Sequence, residues 1–150
     1  MPNRPPRISL IFQKYDQPLY FVTFNTAKRA AILANEGVHH AFIEFCKKAE
    51  TSGIAVGRYV IMPDHVHLFV RGPWDFELSQ WVRLLKRCLS IPISSEPPHW
   101  QKGFFDHLMR NDESYSEKWN YVWQNPVRAG LVVESALWPY QGEIVHLPYA

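Results

Sequence analysis

His65 and His67 are one residue apart in the run Arg58-Tyr-Val-Ile-Met-Pro-Asp-His-Val-His-Leu-Phe-Val70. The run is apolar and rich in β-branched and aromatic residues, with Pro63-Asp64 interrupting it, and it reads as strand. Side chains alternate along a strand, so the two imidazoles share one face while Val66, Leu68 and Val70 point into a core. Two imidazoles held side by side on a rigid strand are a ready pair of metal ligands. Half-buried histidines satisfied by hydrogen bonds would leave the same local pattern, so the rest of the chain carries the decision.

The second chemical candidate lies in Asn111-Asp-Glu-Ser-Tyr-Ser-Glu-Lys-Trp-Asn-Tyr-Val-Trp-Gln-Asn125. At about 100° per residue, Tyr115, Trp119, Val122 and Trp123 cluster as a buried stripe. Tyr121 falls nearly opposite, among Ser114, Glu117, Lys118 and Asn125. Tyr115 therefore reads as core, and Tyr121 as a hydroxyl free for chemistry or as a surface aromatic lying on a neighbouring segment. Asn125, four residues on, shares its face; an asparagine before proline is also common helix-stop chemistry.

The elements around these residues read as follows. Leu19 to Phe24 is a first strand. Val38, Ala41, Phe42, Phe45 and Ala49 have the spacing of an amphipathic helix that ends before Gly53. Ile54 to Ile61 and His65 to Arg71 form a hairpin across Met62-Pro63-Asp64. A second helix spans about Glu77 to Leu89, with Trp81, Leu84, Leu85, Cys88 and Leu89 as its buried stripe and Arg83, Lys86 and Arg87 projecting elsewhere. Gly103 to Arg110 is a fourth strand. A third helix, capped by Asn111 or Asp112, ends near Asn125 because Pro126 disfavours helix in the residue before it. Strand, helix, hairpin, helix, strand, helix is an α+β plan: an antiparallel sheet with packed helices, on a ferredoxin-like or RNA-recognition-motif-like pattern.

The 150 residues suit one domain, and 47% apolar with 15% aromatic residues marks a globular chain. No run approaches the ~20 apolar residues of a membrane span, and no secretory signal is legible, which points to the cytoplasm. The two cysteines, Cys46 and Cys88, sit on or beside apolar stripes and read as buried thiols. A net charge of +2 does not by itself imply nucleic acid. The grouping of Arg83, Lys86 and Arg87, and of Arg4, Arg7 and Lys14, fits either solvated faces or phosphate contacts.

Tyr59-Val-Ile-Met-Pro-Asp-His65-Val-His67, followed by Tyr121-Val-Trp-Gln-Asn-Pro-Val-Arg-Ala-Gly-Leu-Val132, resembles the single-tyrosine HUH transposases of the insertion-sequence type, and within them the REP-associated tyrosine transposases. The resemblance extends to Tyr20–Asn25, Phe104–Arg110 and Trp138-Pro139-Tyr140, and so spans most of the chain. It implies an enzyme that cuts single-stranded DNA beside short hairpins and rejoins it. Tyr121 is then the nucleophile, forming a 5′-phosphotyrosine. His65, His67 and Asn125 are the ligands of Mg²⁺ or Mn²⁺. In the insertion-sequence relatives a glutamine stands where this chain has Asn125, one methylene shorter. The REP-associated branch implies a monomer, the insertion-sequence branch a dimer with exchanged tyrosine helices, and a DNA substrate places the chain at the nucleoid.

DNA contacts are expected from Arg83, Lys86, Arg87, Arg110 and Arg128, with Trp74 and Trp100 as candidates for base stacking. The resemblance places Asp106 and His107 near the site without giving either a role. The competing readings are a non-catalytic or domesticated module that binds hairpin or single-stranded nucleic acid, and a nuclease of the replication or plasmid-transfer type, whose chains are usually longer.

Overall fold

The computed structural model describes residues 18–109 and 112–147. Arg4, Arg7, Lys14, Arg110 and the expected cap Asn111 lie outside the described residues.

The chain runs β1 (Leu19–Asn25), α1 (Glu36–Ala49), β2 (Ala55–Ile61), β3 (His65–Arg71), α2 (Leu78–Ser90), β4 (Phe105–Met109), α3 (Asp112–Trp123), α4 (Asn125–Arg128) and β5 (Gln141–Glu143). The strands form one antiparallel sheet in the order β4-β1-β3-β2-β5. The first four strands and two helices follow the expected ferredoxin-like pattern. β5 extends it along the free edge of β2, and sequence reading placed no strand there. Its three residues carry no alternating apolar signal. It is fixed instead by Trp138, whose indole N–H donates to the Ile61 carbonyl at 3.0 Å, and by the Ile61 amide, which donates to the Tyr140 carbonyl at 2.8 Å.

The sheet is covered on both faces. Val22 and Phe24 of β1 and Val66, Leu68 and Val70 of β3 pack against Val38 and Phe42 of α1 and Trp81, Val82, Leu85 and Leu89 of α2. The opposite face carries Leu19, Phe21, Val60, Phe69 and Met109, against Tyr115 and Val122 of α3 and Trp138. His65 and His67 belong to this second face, because strand alternation sends Val66 and Leu68 to the first. The Met62–Asp64 turn is docked from outside the hairpin. The Thr26 amide donates to the Asp64 carbonyl, and the Leu33 amide donates to the Pro63 carbonyl, both at 3.0 Å.

Two expectations are corrected. Leu84 is 39% exposed and is not part of the buried stripe of α2. The stripe is centred on Trp81, Val82, Leu85 and Leu89, and Leu84 lies about 120° from that centre at the helical period. The third helix stops at Trp123, two residues early. Asn125 then opens a separate one-turn helix with Pro126 in its first turn, where proline's missing N–H has no intrahelical partner to lose.

Leu85→Ala should therefore cost ~2–5 kcal/mol, and Leu84→Ala less than about 1 kcal/mol. Urea midpoints measure both, and equal losses would return Leu84 to the core.

Candidate active site

The Nε2 atoms of His65 and His67 converge on one group, the side-chain amide of Asn125. Its Nδ2 lies 3.2 Å from His65 Nε2 and 3.1 Å from His67 Nε2. The rings stand edge to face, with centroids 4.7 Å apart. One amide nitrogen carries two hydrogens, so it can serve both lone pairs at once.

The opposite nitrogens explain why those lone pairs face inward. His65 Nδ1 lies 2.7 Å from Asp64 Oδ1. A carboxylate only accepts, so Nδ1 holds the proton and Nε2 is left bare. His67 Nδ1 lies 2.8 Å from the Thr23 hydroxyl. Thr23 is the partner of His67 across the β1–β3 ladder, so the register supplies that bond. Asp64 is held in turn by Arg29, whose Nε donates to Oδ2 at 3.0 Å. Arg29 Nη2 also approaches His65 Nδ1 at 3.3 Å. With the Nδ1 proton committed to Asp64, that approach is electrostatic rather than a second hydrogen bond.

The surroundings oppose charge on either imidazole. Burial pushes His67 down to about 3, with the charges of His65, Lys118 and Arg128 acting in the same direction. Burial also lowers His65, and Arg29 adds to this while Asp64 opposes it. Burial alone would raise the Asp64 carboxyl. Hydrogen bonds from His65 and Arg29, and their charges, outweigh it and hold the group below the usual carboxylate range.

Two neutral, inward-facing imidazole nitrogens beside an amide match the donor set of a divalent cation. Among the described residues no three His, Cys, Asp or Glu side chains gather to hold a metal. The third donor available at this point is the amide, whose oxygen is a hard ligand.

Tyr121 is 65% exposed, whereas Tyr115 is 2% exposed and packs on Phe69 with ring centroids 4.4 Å apart. The helical-wheel division of the two tyrosines holds. Tyr121 stands one helical turn before Asn125, and the Arg128 guanidinium lies over its ring, 3.9 Å from the centroid. On the same side of α3, the Lys118 ammonium is 5.2 Å from the Phe21 ring, and Phe21 stacks on His67 at 5.4 Å.

The structure thus gathers His65, His67, Asn125, Tyr121 and Arg128. It does not bring Arg83, Lys86 and Arg87 to them, because α2 covers the other face of the sheet. Lys86 is committed to two backbone carbonyls, those of Gln101 at 3.1 Å and Gly103 at 2.6 Å, and Arg83 donates to Gln80. Trp100 is half-buried, with its indole N–H donating to Ser90 Oγ at 2.8 Å. Trp74 is 56% exposed, beyond β3 in the loop that leads to α2. Sequence reading missed Thr23, Arg29 and Asp64 as partners of the imidazoles. Asp64 had a local signal in standing next to His65, Thr23 is visible only through the register, and Arg29 had none.

Residues 14–121 match the family described as "Transposase IS200 like". A putative REP-associated tyrosine transposase of Haemophilus influenzae is 27% identical over 139 residues, covering 81% of this chain and 77% of that protein. The REP-associated tyrosine transposase of Escherichia coli K12 is 28% identical over 127 residues, covering 81% and 73%. In solved structures, the fold matches a REP-associated tyrosine transposase bound to a REP hairpin with a TM-score of 0.71 at 23% identity, covering 94% of this chain and 82% of that one. It also matches a putative transposase from Deinococcus radiodurans with a TM-score of 0.53 at 17% identity, covering 81% and 95%.

The lowered His67 has a consequence for stability. Between about 3 and the ordinary histidine value of about 6.5 the unfolded chain binds a proton at this position and the folded chain does not. Stability therefore falls as pH drops through 6.5 and towards 3. From His67 alone the loss at pH 5 is at most about 2 kcal/mol. Urea midpoints at pH 7 and pH 5 should separate more widely for the unmodified protein than for His67→Leu, and equal separations would refute it.

Proposed function

Since the chain belongs to the IS200-like transposase family, we propose that it is a metal-dependent enzyme that nicks and rejoins single-stranded DNA at hairpin-containing repeats, with Tyr121 as nucleophile. One observation carries the reading. The bare Nε2 lone pairs of His65 and His67 meet the amide of Asn125 one helical turn from an exposed tyrosine. The hairpin substrate is favoured by likeness to a transposase described as bound to a REP hairpin.

His65, His67 and Asn125 would hold Mg²⁺ or Mn²⁺, which would supply positive charge to offset the charge developing on the scissile phosphate. The protein's own groups do the rest. The exposed Tyr121 hydroxyl attacks phosphorus and releases its proton to water. The Oη–P bond forms as the P–O3′ bond breaks, and the leaving 3′-oxygen takes up a proton, leaving a 5′-phosphotyrosine and a free 3′-hydroxyl. A second 3′-hydroxyl reverses the step and joins a new strand. The guanidinium of Arg128, held on the Tyr121 ring, and the ammonium of Lys118 carry the positive charge that steers a phosphate towards the tyrosine. Asp64 keeps the proton of His65 on Nδ1, and the Thr23 hydroxyl orients the His67 ring through its Nδ1.

The likeness to the REP-associated branch favours a monomer, and we take the active species to be one, with Asn125 serving the imidazoles of its own chain. A DNA substrate would place the enzyme at the nucleoid, and no helix among the described residues is long and apolar enough to cross a membrane.

On a denaturing gel, labelled hairpin DNA with unpaired flanks should form a covalent adduct in Mg²⁺ or Mn²⁺ and none in EDTA. Tyr121→Phe should abolish the adduct and leave DNA affinity within about twofold. An adduct in Tyr121→Phe, or equal yield in EDTA, overturns this reading. Binding with no adduct under any condition would favour a non-catalytic hairpin-binding module. Mixing Tyr121→Phe with a His65→Ala, His67→Ala double variant should restore no adduct. Restoration would show that two copies share tyrosine and histidines, and that the active species is a dimer.

A further inference from the structure

Phe105 is 67% exposed on β4, an edge strand whose outer side has no strand partner among the described residues. A large aromatic left open on a sheet edge is an aggregation hazard that proteins usually cover or replace with charge. The register shows where it stands. Phe105 pairs with Thr23 across β1 and β4, and Thr23 pairs with His67 across β1 and β3. Directly paired residues of an antiparallel ladder share a face, so Phe105, Thr23 and His67 form one row on the face that carries the imidazoles. With strands ~4.8 Å apart, Phe105 lies about 10 Å from His67. His107, two residues on, occupies the next row through its pairing with Phe21, and it is also exposed.

Between this edge and α3 the floor is Phe21, which stacks on His67. The opposite wall carries Lys118 over Phe21 and Arg128 over Tyr121. Cations on the helix side and exposed aromatics on the β4 side therefore flank the imidazoles, a combination that suits a single nucleic-acid strand, with phosphates on one side and bases on the other.

We infer that Phe105, with His107 beside it, is a stacking platform for an unpaired base adjoining the scissile phosphate, and that the strand enters the site over the open edge of β4. The inference rests on the single-stranded DNA reading of the site and adds the direction of the strand and the groups that hold its bases. Stacking on an aromatic face tolerates any base, so this platform contributes affinity for unpaired flank rather than choice of sequence.

The test uses the full chain and hairpin oligonucleotides from the repeats flanking the coding sequence. One version has a flush end, and others carry an unpaired flank with 2-aminopurine at successive positions. Phe105→Ala should weaken binding of the flanked hairpin roughly 5- to 150-fold, leave the flush hairpin unchanged, and restore 2-aminopurine fluorescence at one flank position that the unmodified protein quenches. Phe105→Trp should retain both affinity and quenching, and His107→Ala should show a smaller loss. Because Phe105 packs in neither core, these variants should keep the unmodified circular dichroism and urea midpoint. Equal affinity of Phe105→Ala and the unmodified protein for the flanked hairpin overturns the inference and leaves the proposed function standing. Failure of the unmodified protein to bind any unpaired flank overturns both. If Phe105→Ala instead splits a dimer in sedimentation with DNA affinity intact, the edge is an interface between copies and the inference is wrong.

Discussion

Two imidazoles packed edge to face beneath a helix end cannot both take up a proton. Desolvation penalises each imidazolium, and each would repel the other. What the pair can do is present two lone pairs to one electron-poor group. In the protein alone that group is the NH₂ of Asn125. The rest of the site enforces this arrangement. Asp64 pins the Nδ1 proton of His65, the Thr23 hydroxyl bonds Nδ1 of His67, Phe21 fixes the plane of His67 by stacking, and Lys118 and Arg128 raise the cost of protonation. A cation satisfies the same two lone pairs, which is why the donor set suits a metal without a third acidic or thiol ligand.

Asn125 reaches the imidazoles from a second, one-turn helix. α3 ends at Trp123, Gln124 keeps a right-handed helical backbone, and α4 follows with Pro126 inside its first turn. Buried Tyr115 and Val122 anchor α3 on the sheet. Tyr121 stays exposed, under Arg128, while the Asn125 amide meets His65 and His67.

Much of this was legible in the sequence, and the limits have physical causes. The alternation around His65 and His67 gave their common face, and the 3.6-residue period separated exposed Tyr121 from buried Tyr115. The plan emerged because β1, β2, β3 and the two helices packed on them carry strong apolar patterns, whereas β4 buries only Met109 of its five residues. β5 was missed because three residues paired on an edge bury almost nothing of their own. Leu84 was misplaced because α2 holds more apolar residues than its buried stripe can take, and sequence alone did not fix the centre of that stripe. The basic residues of α2 drew attention by their spacing, yet charge spacing says nothing of which face of a sheet a helix covers. Thr23 and Phe105 matter through the register of three strands, a tertiary property that no local pattern encodes.

The turn after β1 shows how such non-local support is maintained. Lys28 and Arg29 both adopt positive φ, 55° and 54°, a region that costs a side-chain-bearing residue on the order of 1–3 kcal/mol. The ion pair of Arg29 with Asp64 is too exposed to offset that, since such pairs contribute ~0–1 kcal/mol. The compensation lies in Thr26, fully buried, whose hydroxyl bonds the Ala30 and Asp64 carbonyls at 2.9 and 3.2 Å and whose amide also bonds Asp64. These bonds clamp the strained turn to the Met62–Asp64 hairpin, so Arg29 and Asp64 move as one body with β3. The effect of the ion pair then falls on charge rather than on stability. It keeps the Asp64 carboxylate ionised, and an ionised Asp64 keeps the His65 proton on Nδ1, away from the face where the lone pairs are needed.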